Sequence, residues 1–285
     1  MNYINKHKNI LYVDWNIFIL LKENKKLFDV LQLDQYELVV YSPAHIEDLA
    51  NSLTKKNIDE EVIEKDLNFL SKTTNNIEIY PNHGDLKCNK AVCIVEENPK
   101  ECYKRVIRYY NKTMLAESLN RELLEHSKNN KYFDNDINQI NNISFDKIFG
   151  IIFNNIISKY QFIHEYNINI INHKLQFPYL SDRIILLENE NFQIDNFNKN
   201  FFNILIIIEM LANLLDNMGY WKDKIKNAHN RMNDVTHIIY GTFSDKFITI
   251  DKRMFRRAKA IYDFLRVDNE VLYFDQKNNS LRENI

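Results

Sequence analysis

The amino-acid sequence predicts an α/β protein with a central parallel sheet of four to five strands, helices on both faces and a large helical insertion. Short apolar runs that are typical of buried strands alternate with stretches of helical spacing at both ends of the chain. This alternation favours parallel strands joined by helices that cover both faces of the sheet. The middle of the chain has long helical stretches and no convincing β alternation, which sets it apart from the two ends.

The amino-terminal third of the sequence contains three predicted strands. They are the β-rich runs 10–13, 37–41 and 77–80, of which the last is stopped by Pro81. Helical spacing over 15–31 follows the first strand. Ser42 and Pro43 predict the N-cap and the first position of a helix that follows the second strand. A further helix is predicted over 58–72, so strand and helix alternate through this part of the chain.

The carboxyl-terminal part of the sequence returns to the same alternation. The predicted elements are a helix over 234–240, a strand over 247–250, a helix over 252–265 and a last strand over 271–274. Asp234 opens the first of these helices, and Gly241 is its candidate C-cap. We therefore assign residues 1–81 and 226–285 to one α/β domain. Residues 82–225 are assigned to a helical insertion, with a small independent domain as the alternative.

Length and charge narrow the classes of protein to which this chain can belong. Its 285 residues are enough to bury a full core, and a formal net charge of −2 means that nucleic-acid binding must come from local basic patches. No signal peptide or membrane-spanning segment is evident, because polar residues interrupt each apolar run. We therefore expect a cytoplasmic protein without a membrane partner. The three cysteines, Cys88, Cys93 and Cys102, are expected to be reduced thiols.

Four aspartates fall where the predicted fold brings them to one edge of the sheet. Asp14 ends the first strand, and Asp251 ends a later one. Asp48 lies in the first turns of the helix after the second strand, and Asp234 opens the helix that leads towards Asp251. Ligands of open parallel sheets bind at the carboxyl ends of the strands. Each aspartate alone could be a helix cap or a loop residue. Together they repel one another unless a cation is present, and such oxygen ligands suit Mg²⁺ or Mn²⁺.

Three segments of the chain resemble the signatures of PIN-like nuclease domains. They are Tyr12-Val13-Asp14-Trp15-Asn16, the run from Tyr41 to Leu49, and Phe247-Ile248-Thr249-Ile250-Asp251. The most specific part is Asp234-x-x-His237 followed, over 245–252, by Asp-x-Phe-Ile-Thr-x-Asp-Lys. This part resembles PIN-like proteins that carry helical insertions, and the resemblance covers the two ends of the chain. It implies a three-layer PIN-like fold.

The resemblance also implies roles for individual residues. Asp14, Asp48, Asp234 and Asp251 would be the metal ligands and catalytic residues, and Asn16 would orient a ligand or hold a water. Glu47 competes with Asp48 as the acid of its helix, and we favour Asp48 because His45, three residues earlier, can form a His–Asp pair with it. His237 has three open roles, which are to hold the Asp234 carboxylate, to contact a phosphate or to pack in the core. Asp245 precedes its strand, so we expect it at the opposite edge of the sheet in a capping or pairing role.

The activity that the resemblance implies is hydrolysis of phosphodiester bonds with Mg²⁺ or Mn²⁺, with RNA favoured over DNA and a 5′-phosphate on the product. Two-metal hydrolysis uses carboxylates as ligands and needs no nucleophilic side chain. Basic residues that follow Asp251 either bind nucleic-acid phosphates or form a solvated helix face: Lys252, Arg253, Arg256, Arg257 and Lys259. A bacterial toxin or a phage-defence effector is a role that fits this activity.

Two other functions compete with the nuclease. A catalytically inactive PIN-like protein would act as a partner-binding module, with a protein partner or a second copy bound through the helical insertion. The presence of all four acids argues against a decayed site. A haloacid-type phosphatase would have two aspartates separated by one residue after the first strand. This chain has Asp14-Trp15-Asn16 there, which disfavours the phosphatase.

Overall fold

The computed structural model describes residues 2–3, 9–56, 59–82, 90–113, 201–217, 220–221, 228–265 and 267–284. Strands and helices alternate through these residues, so the α/β class predicted from the sequence is confirmed. The strands are β1 (Asn2–Tyr3), β2 (Ile10–Val13), β3 (Leu38–Val40), β4 (Ile77–Pro81), β5 (Val92–Glu96), β6 (Lys246–Thr249), β7 (Glu270–Asp275) and β8 (Ser280–Arg282). The α-helices are α1 (Trp15–Glu23), α2 (Leu27–Val30), α3 (Pro43–Lys56), α4 (Glu60–Thr74), α5 (Pro99–Thr113), α6 (Phe201–Asn217), α7 (Ala228–Gly241) and α8 (Lys252–Leu265).

The strands of the described residues form a five-stranded and a three-stranded sheet that meet at one point. The larger sheet has the order β3-β2-β6-β7-β8, in which the first four strands are parallel and β8 is antiparallel to β7. The smaller, antiparallel sheet has the order β1-β5-β4. At the end of β3 the Tyr41 N–H donates to the Ile77 carbonyl at 3.0 Å, and the Ile79 N–H donates to the Tyr41 carbonyl at 2.8 Å. β4 therefore runs parallel beside the end of β3.

Helices cover both faces of the larger sheet. Leu11, Val13 and Ile248 pack in one hydrophobic cluster with side chains of α1, α4 and α5. Tyr12 and Phe247, which alternate with them along the same strands, pack in a second cluster with α6, α7 and α8. Because successive side chains of a strand point to opposite faces, the two clusters lie on opposite sides of the sheet. This arrangement is compatible with a three-layer fold.

Two helices have boundaries that differ from those predicted. The segment expected to be one helix over 15–31 is divided, because Asn24 has extended backbone angles (φ −132°, ψ 97°) and ends α1. The other difference concerns Asp234, which was predicted to open its helix. α7 begins at Ala228, so Asp234 lies inside the helix.

Parts of the predicted helical insertion belong to the main fold. β5 is a strand where no β alternation was recognised, because its apolar residues occupy both faces and so show no polar alternation. α5 packs against α3 and α4, and α6 contributes to the cluster that also contains α7 and α8. The remainder of the segment 82–225 lies largely outside the described residues, so its assignment to a helical insertion, with an independent domain as the alternative, stays a prediction.

Two further predictions concern the state of the cysteines and the absence of a membrane-spanning segment. Cys93 is disulfide-bonded, so the prediction of a reduced thiol is wrong for this residue, whereas Cys102 is a free, buried thiol. Cys88 lies outside the described residues. Within the part of the chain that the structure describes, none of the helices combines the length and apolar character needed to cross a membrane.

Candidate functional site

Asp14 and Asp251 lie at the same edge of the sheet, at the carboxyl ends of neighbouring strands. β2 and β6 are parallel, with Val13 paired with Ile248, and this register brings together the residues that follow the two strands. The Thr249 hydroxyl donates to Oδ2 of Asp14 at 2.6 Å and accepts from the Asp251 N–H at 2.9 Å. One threonine side chain thus joins the two aspartates.

Each of these aspartates is also the N-cap of a helix. Oδ1 of Asp14 accepts from the Ile17 N–H at 2.9 Å at the start of α1. Oδ1 of Asp251 accepts from the N–H groups of Arg253 and Met254, at 2.7 and 3.0 Å, at the start of α8. Such caps satisfy amide groups that a helix leaves without internal partners. The capping role therefore orients both carboxylates, and it leaves Oδ2 of Asp251 without a hydrogen bond from the described residues.

The buried Asp14 carboxylate has little positive charge near it. Asp14 is fully buried, and this burial raises the pKa of its carboxyl to about 6. The Thr249 hydrogen bond and the nearby His237 lower the pKa, while the charge of Asp251 raises it. Among the described residues, no lysine or arginine pairs with Asp14 or Asp251. A buried acid next to a second carboxylate favours the binding of a cation, because a cation stabilises the ionised form of both.

Asp48 is held by two side chains of α7. Its Oδ2 accepts from Nε2 of His237 at 2.9 Å, and its Oδ1 accepts from the side-chain amide of Asn233. Asn233 and His237 are four residues apart on a helix and therefore face the same side. The predicted His45–Asp48 pair is wrong. Because α7 packs against α3, His237 forms the hydrogen bond to Asp48 that was expected from His45.

His45 instead ties the start of α3 to the end of β2. Its Nε2 donates to the Val13 carbonyl at 2.7 Å, and its Nδ1 accepts from the Ser42 N–H at 3.0 Å. These two bonds define a neutral ring with its hydrogen on Nε2. Burial lowers the pKa of His45 well below its ordinary value, and the neighbouring His237 lowers it further. His45 is therefore a structural link in its neutral form.

Glu47, the rival of Asp48, has a different environment. Its side chain is half-buried and accepts no hydrogen bond from the residues that the structure describes. Burial raises the pKa of Glu47 to about 7, Asp48 raises it further, and His237 lowers it. Of the two acids on α3, Asp48 therefore accepts hydrogen bonds from neighbouring side chains, whereas Glu47 accepts none from the described residues. Both stay candidates as metal ligands.

The remaining predicted residues of the acidic site are Asp234 and Asn16. Asp234 is half-buried on α7, next to Asn233 and one turn before His237. It therefore lies beside the two residues that bind Asp48. Asn16 is exposed in the first turn of α1, two residues after Asp14.

Asp245 lies at the opposite edge of the sheet from Asp251, where its position before β6 predicts it. Its Oδ2 accepts from the Ile10 N–H at 2.6 Å, and its own N–H donates to the Ile10 carbonyl at 2.9 Å. The Asp245 carbonyl accepts from the Glu270 N–H at 2.9 Å. Asp245 thus joins the beginnings of β2, β6 and β7 and supports the sheet from the edge away from the site.

Of the basic residues predicted to contact nucleic acid, three occupy the first part of α8, next to Asp251. They are Lys252, Arg253 and Arg256. Lys252 and Arg256 lie over the ring of Trp221, with Nζ and Cζ at 5.3 and 5.7 Å from the ring centre. A cationic group at this distance from an indole ring is attracted to its face. These three residues are compatible with the predicted contact surface.

The prediction is corrected for the other two basic residues of α8. Arg257 is 1% exposed and is bonded to the buried Asp216 at 3.2 Å, because it lies on the face of the helix that packs in the core. Nζ of Lys259 donates to the Glu283 carbonyl at 2.8 Å and to Oδ1 of Asn284 at 3.2 Å. Neither side chain is available to a phosphate group at the site.

A second acidic group lies between β4 and α5. Glu78, Glu97 and Cys102 offer ligand atoms within 4.8 Å of one another and could hold a metal ion. One nitrogen of Arg105, Nη2, donates to both glutamates at 2.7 Å. Burial raises the pKa of Glu78 to about 8, and burial likewise raises the pKa of the Cys102 thiol. Arg105 thus already supplies a positive charge to this group.

The described residues contain no other set of three such ligand atoms at this spacing. The carboxylates of Asp14, Asp48, Asp234 and Asp251 therefore do not form a closed ligand set as they stand. The structure shows the following contacts among these four acids. Two of the acids are joined through Thr249, and a third is bonded to the helix that carries the fourth.

Four residues of the site were missed by the sequence analysis. They are Tyr12, Ser42, Asn233 and Thr249. The Tyr12 hydroxyl lies 2.8 Å from both Oγ of Ser42 and Nδ1 of His237. A hydroxyl in an otherwise apolar buried strand is a signal that could have identified Tyr12, because buried polar groups require partners. Thr249 belongs to the Phe-Ile-Thr-x-Asp run of the motif, but the run by itself assigned it no contact.

Comparison with known proteins gives no match, whether the chain is compared with protein-family models, curated proteins or solved structures. A function for this chain therefore has to be argued from the geometry of the site and from the motifs that compose it.

Proposed function

We propose that the chain is a PIN-like, divalent-metal-dependent nuclease that hydrolyses phosphodiester bonds of nucleic acid, with RNA as the favoured substrate and Mg²⁺ or Mn²⁺ as the metal. The observation that carries the proposal is the pair formed by Asp14 and Asp251 at the carboxyl edge of two neighbouring parallel strands. Ligands of open α/β sheets bind at this edge.

The chemistry of these residues fits a hard divalent cation. Asp14 is buried with a raised pKa, Asp251 adds negative charge beside it, and the described residues supply neither with a basic partner. Carboxylate oxygens are the ligands that Mg²⁺ and Mn²⁺ prefer. Asp14, Asp251 and Asp234, with Asp48 or Glu47, would hold the metal. When bound, it would activate water and stabilise the charge on the leaving oxygen.

The start of α8 supports the binding of a phosphate group. A helix N-terminus carries partial positive charge and attracts anions. Lys252, Arg253 and Arg256 add three positive charges within the first turns of the helix, directly after Asp251. We infer that they neutralise the nucleic-acid backbone next to the acids.

A serine nucleophile is disfavoured by the contacts of Ser42. Its Oγ lies 3.3 Å from Nδ1 of His45, which in outline resembles a Ser–His pair. Both residues are fully buried, and the lone pair of Nδ1 is directed at the Ser42 N–H. His45 is therefore not available as the base for the Ser42 hydroxyl, and a fully buried Ser42 cannot reach a substrate, so acyl-transfer chemistry of the Ser–His type is not supported.

The test is a cleavage assay of the purified full chain with Mn²⁺ or Mg²⁺, on end-labelled single-stranded RNA and on DNA of the same sequence. We expect metal-dependent cleavage that favours RNA and leaves a 5′-phosphate. Asp14→Asn and Asp251→Asn should each abolish it. Asp245→Asn is the matched control, because it makes the same change at the opposite edge of the sheet and keeps a carbonyl oxygen for the Ile10 N–H.

Each result of this assay bears on the proposal. Cleavage that needs Asp14 and Asp251 but not Asp245 supports it. If folded protein cleaves neither nucleic acid with either metal, the nuclease proposal is wrong and a partner-binding role replaces it. Equal cleavage of RNA and DNA would contradict the proposed preference for RNA and leave the nuclease activity supported.

A further inference from the structure

A continuous series of hydrogen bonds joins Asp48 to the backbone beside Asp14. At one end, Nε2 of His237 donates to the Asp48 carboxylate at 2.9 Å. The other ring nitrogen of His237, Nδ1, lies 2.8 Å from the Tyr12 hydroxyl. Tyr12 belongs to β2, the strand that ends at Asp14. One histidine and one tyrosine therefore connect an acid of α3 to the strand that carries the second acid.

The series continues from Tyr12 to the end of the same strand. The Tyr12 hydroxyl lies 2.8 Å from Oγ of Ser42, and the N–H of the same serine donates to Nδ1 of His45 at 3.0 Å. Nε2 of His45 then donates to the Val13 carbonyl at 2.7 Å. Val13 is the residue before Asp14, so both ends of the series lie at acids of the candidate site.

The directions of the hydrogen bonds follow from the groups that terminate the series. A carboxylate only accepts, so the hydrogen on Nε2 of His237 points to Asp48. When the His237 ring is neutral, its Nδ1 accepts from Tyr12, whose oxygen can then accept from the Ser42 hydroxyl. In this arrangement each of the three hydrogens points towards Asp48, and each donor has an acceptor. The network is satisfied without water.

Burial makes this network rigid. Tyr12, Ser42 and His45 are fully buried, and His237 is 1% exposed. The rings of Tyr12, His45 and His237 also contact one another, with centroids 4.9 to 5.8 Å apart. A buried polar network in which every group is paired holds its members in one arrangement, because breaking any bond leaves a polar group without a partner.

We propose that Tyr12 and His237 are positioning residues that hold the Asp48 carboxylate in a set place relative to Asp14, so that both acids can bind the same metal centre. This inference rests on the proposed nuclease function. Neither residue would touch substrate or metal. Partners that orient a metal-binding side chain are known to affect metal affinity or activity by about 10- to 100-fold when they are removed.

The test compares two tyrosine-to-phenylalanine variants in the full chain. Tyr12→Phe removes the hydroxyl that joins His237 to Ser42 and keeps the ring in the core. Tyr262→Phe is the matched control, because the Tyr262 hydroxyl is equally buried and donates to the Ile238 carbonyl of α7 at 2.5 Å, with no part in the series. Both variants lose one buried hydrogen bond to α7.

We expect Tyr12→Phe to weaken Mn²⁺ binding, measured by titration calorimetry, by about 10-fold or more. Its kcat should fall at fixed Mn²⁺ while KM for RNA stays constant, and saturating Mn²⁺ should restore part of the loss. Tyr262→Phe should bind Mn²⁺ like the wild type. His237→Gln should retain more Mn²⁺ affinity than His237→Leu, because a glutamine amide can donate to Asp48 and accept from Tyr12.

A readout without metal or nucleic acid separates this inference from the proposed function. The imidazole ¹⁵N spectrum of His237 should show its hydrogen on Nε2 in the wild type and in Tyr262→Phe, and an altered pattern in Tyr12→Phe. If the wild type binds no Mn²⁺ and cleaves nothing, the proposed function fails, whatever the spectra show. If the wild type binds Mn²⁺ and Tyr12→Phe binds it as tightly as Tyr262→Phe, only the positioning role is overturned.

Discussion

The hydroxyl of Thr249 donates a hydrogen bond of 2.6 Å to the buried carboxylate of Asp14, from the neighbouring parallel strand. The same oxygen accepts from the Asp251 N–H, so one side chain relates the two acids at the ends of β2 and β6. A hydrogen bond to an ionised carboxylate is stronger than one between neutral groups. This contact therefore influences how readily Asp14 becomes the anion that a metal requires.

Replacing Thr249 by valine keeps the shape of the side chain and removes the donor. Because a hydrogen bond to the ionised form lowers a pKa, the pKa of Asp14 should rise above about 6. We expect the pH midpoint of Mn²⁺-dependent cleavage to move upward by roughly 1 unit, taking about 1.5 kcal/mol for a bond to a charged group. Thr249→Ser retains the donor and should keep the wild-type pH–rate profile. An unchanged midpoint in Thr249→Val would show that this bond does not control the ionisation.

The raised pKa of Asp14 also predicts how stability depends on pH when no metal is present. The carboxyl titrates near 6 in the folded chain and near 3.9 when unfolded, so the folded state holds the proton more tightly between these values. Its contribution to stability is present below about pH 4 and is lost as the pH rises through about 6. Two pKa units correspond to at most about 3 kcal/mol.

Asp14→Asn removes this buried charge and keeps an oxygen that can cap α1. The variant should be more stable than the wild type by up to about 3 kcal/mol at pH 8 and equally stable near pH 3.5. Urea denaturation with a chelator present, at the two pH values, measures the difference. A loss of stability at pH 8 would mean that the Asp14 charge is already compensated in the folded protein.

Glu47 and Asp48 should respond differently to removal of their charge. We expect Asp48→Asn to lower the free energy of unfolding by about 1–3 kcal/mol, because its bonds to His237 and Asn233 depend on two acceptor oxygens. Glu47→Gln should raise stability above about pH 7, because burial raises the pKa of Glu47 to about 7 and its charge is therefore unfavourable in the folded state. We also expect the larger loss of Mn²⁺ affinity in Asp48→Asn. A loss confined to Glu47→Gln would assign the metal ligand to Glu47.

Substitutions of the basic residues of α8 should affect either stability or RNA binding, depending on the residue. Arg257→Met removes the arginine that pairs with the buried Asp216 and should cost about 3–5 kcal/mol of stability. Lys252→Ala and Arg256→Ala should cost less than about 1 kcal/mol, the scale of their contact with Trp221. These two variants should instead weaken RNA binding and reduce its salt dependence. An RNA affinity that is independent of salt in the wild type would place the binding surface elsewhere.

Cys102→Ala tests whether the second acidic group is the metal site. We expect unchanged Mn²⁺ affinity and unchanged cleavage, because Arg105 already bonds Glu78 and Glu97 and the raised pKa of Cys102 disfavours the thiolate that a metal needs. Calorimetric titration against the wild type measures this. Loss of one bound Mn²⁺ in Cys102→Ala, with cleavage intact, would show that this group binds an ion of its own.

The edge at which Asp14 and Asp251 lie was predictable because it depends on local patterns. A buried strand is visible as a short apolar run, and the residue at which the run stops marks the strand end. The parallel arrangement follows from the alternation of strands with helices, so both strand ends are expected at the same edge, whereas the pairing of β2 with β6 is decided by the tertiary structure. Strand β5 was missed for the converse reason, since apolar residues on both of its faces leave no period of two to recognise.

The partners of the polar side chains were not predictable in the same way. The sequence places His45 three residues before Asp48 and His237 three residues after Asp234, yet it is His237 that bonds Asp48, across 189 positions of the chain. That choice depends on how α7 packs against α3, which neither helix encodes alone. Arg257 illustrates the same limit, because its burial is decided by the position of Asp216 on another helix.

The sequence by itself determined the α/β class, the strands that carry Asp14 and Asp251, and the edge at which these acids emerge, because period and strand ends are local properties of a chain. Only the tertiary structure decided that Thr249 joins the two acids, that His237 and Tyr12 hold Asp48, and that Arg257 is withdrawn into the core. Hydrogen bonds and ion pairs form between whichever groups the packing of distant elements brings within about 3 Å of each other. That proximity is a property of the fold and cannot be read from any one segment.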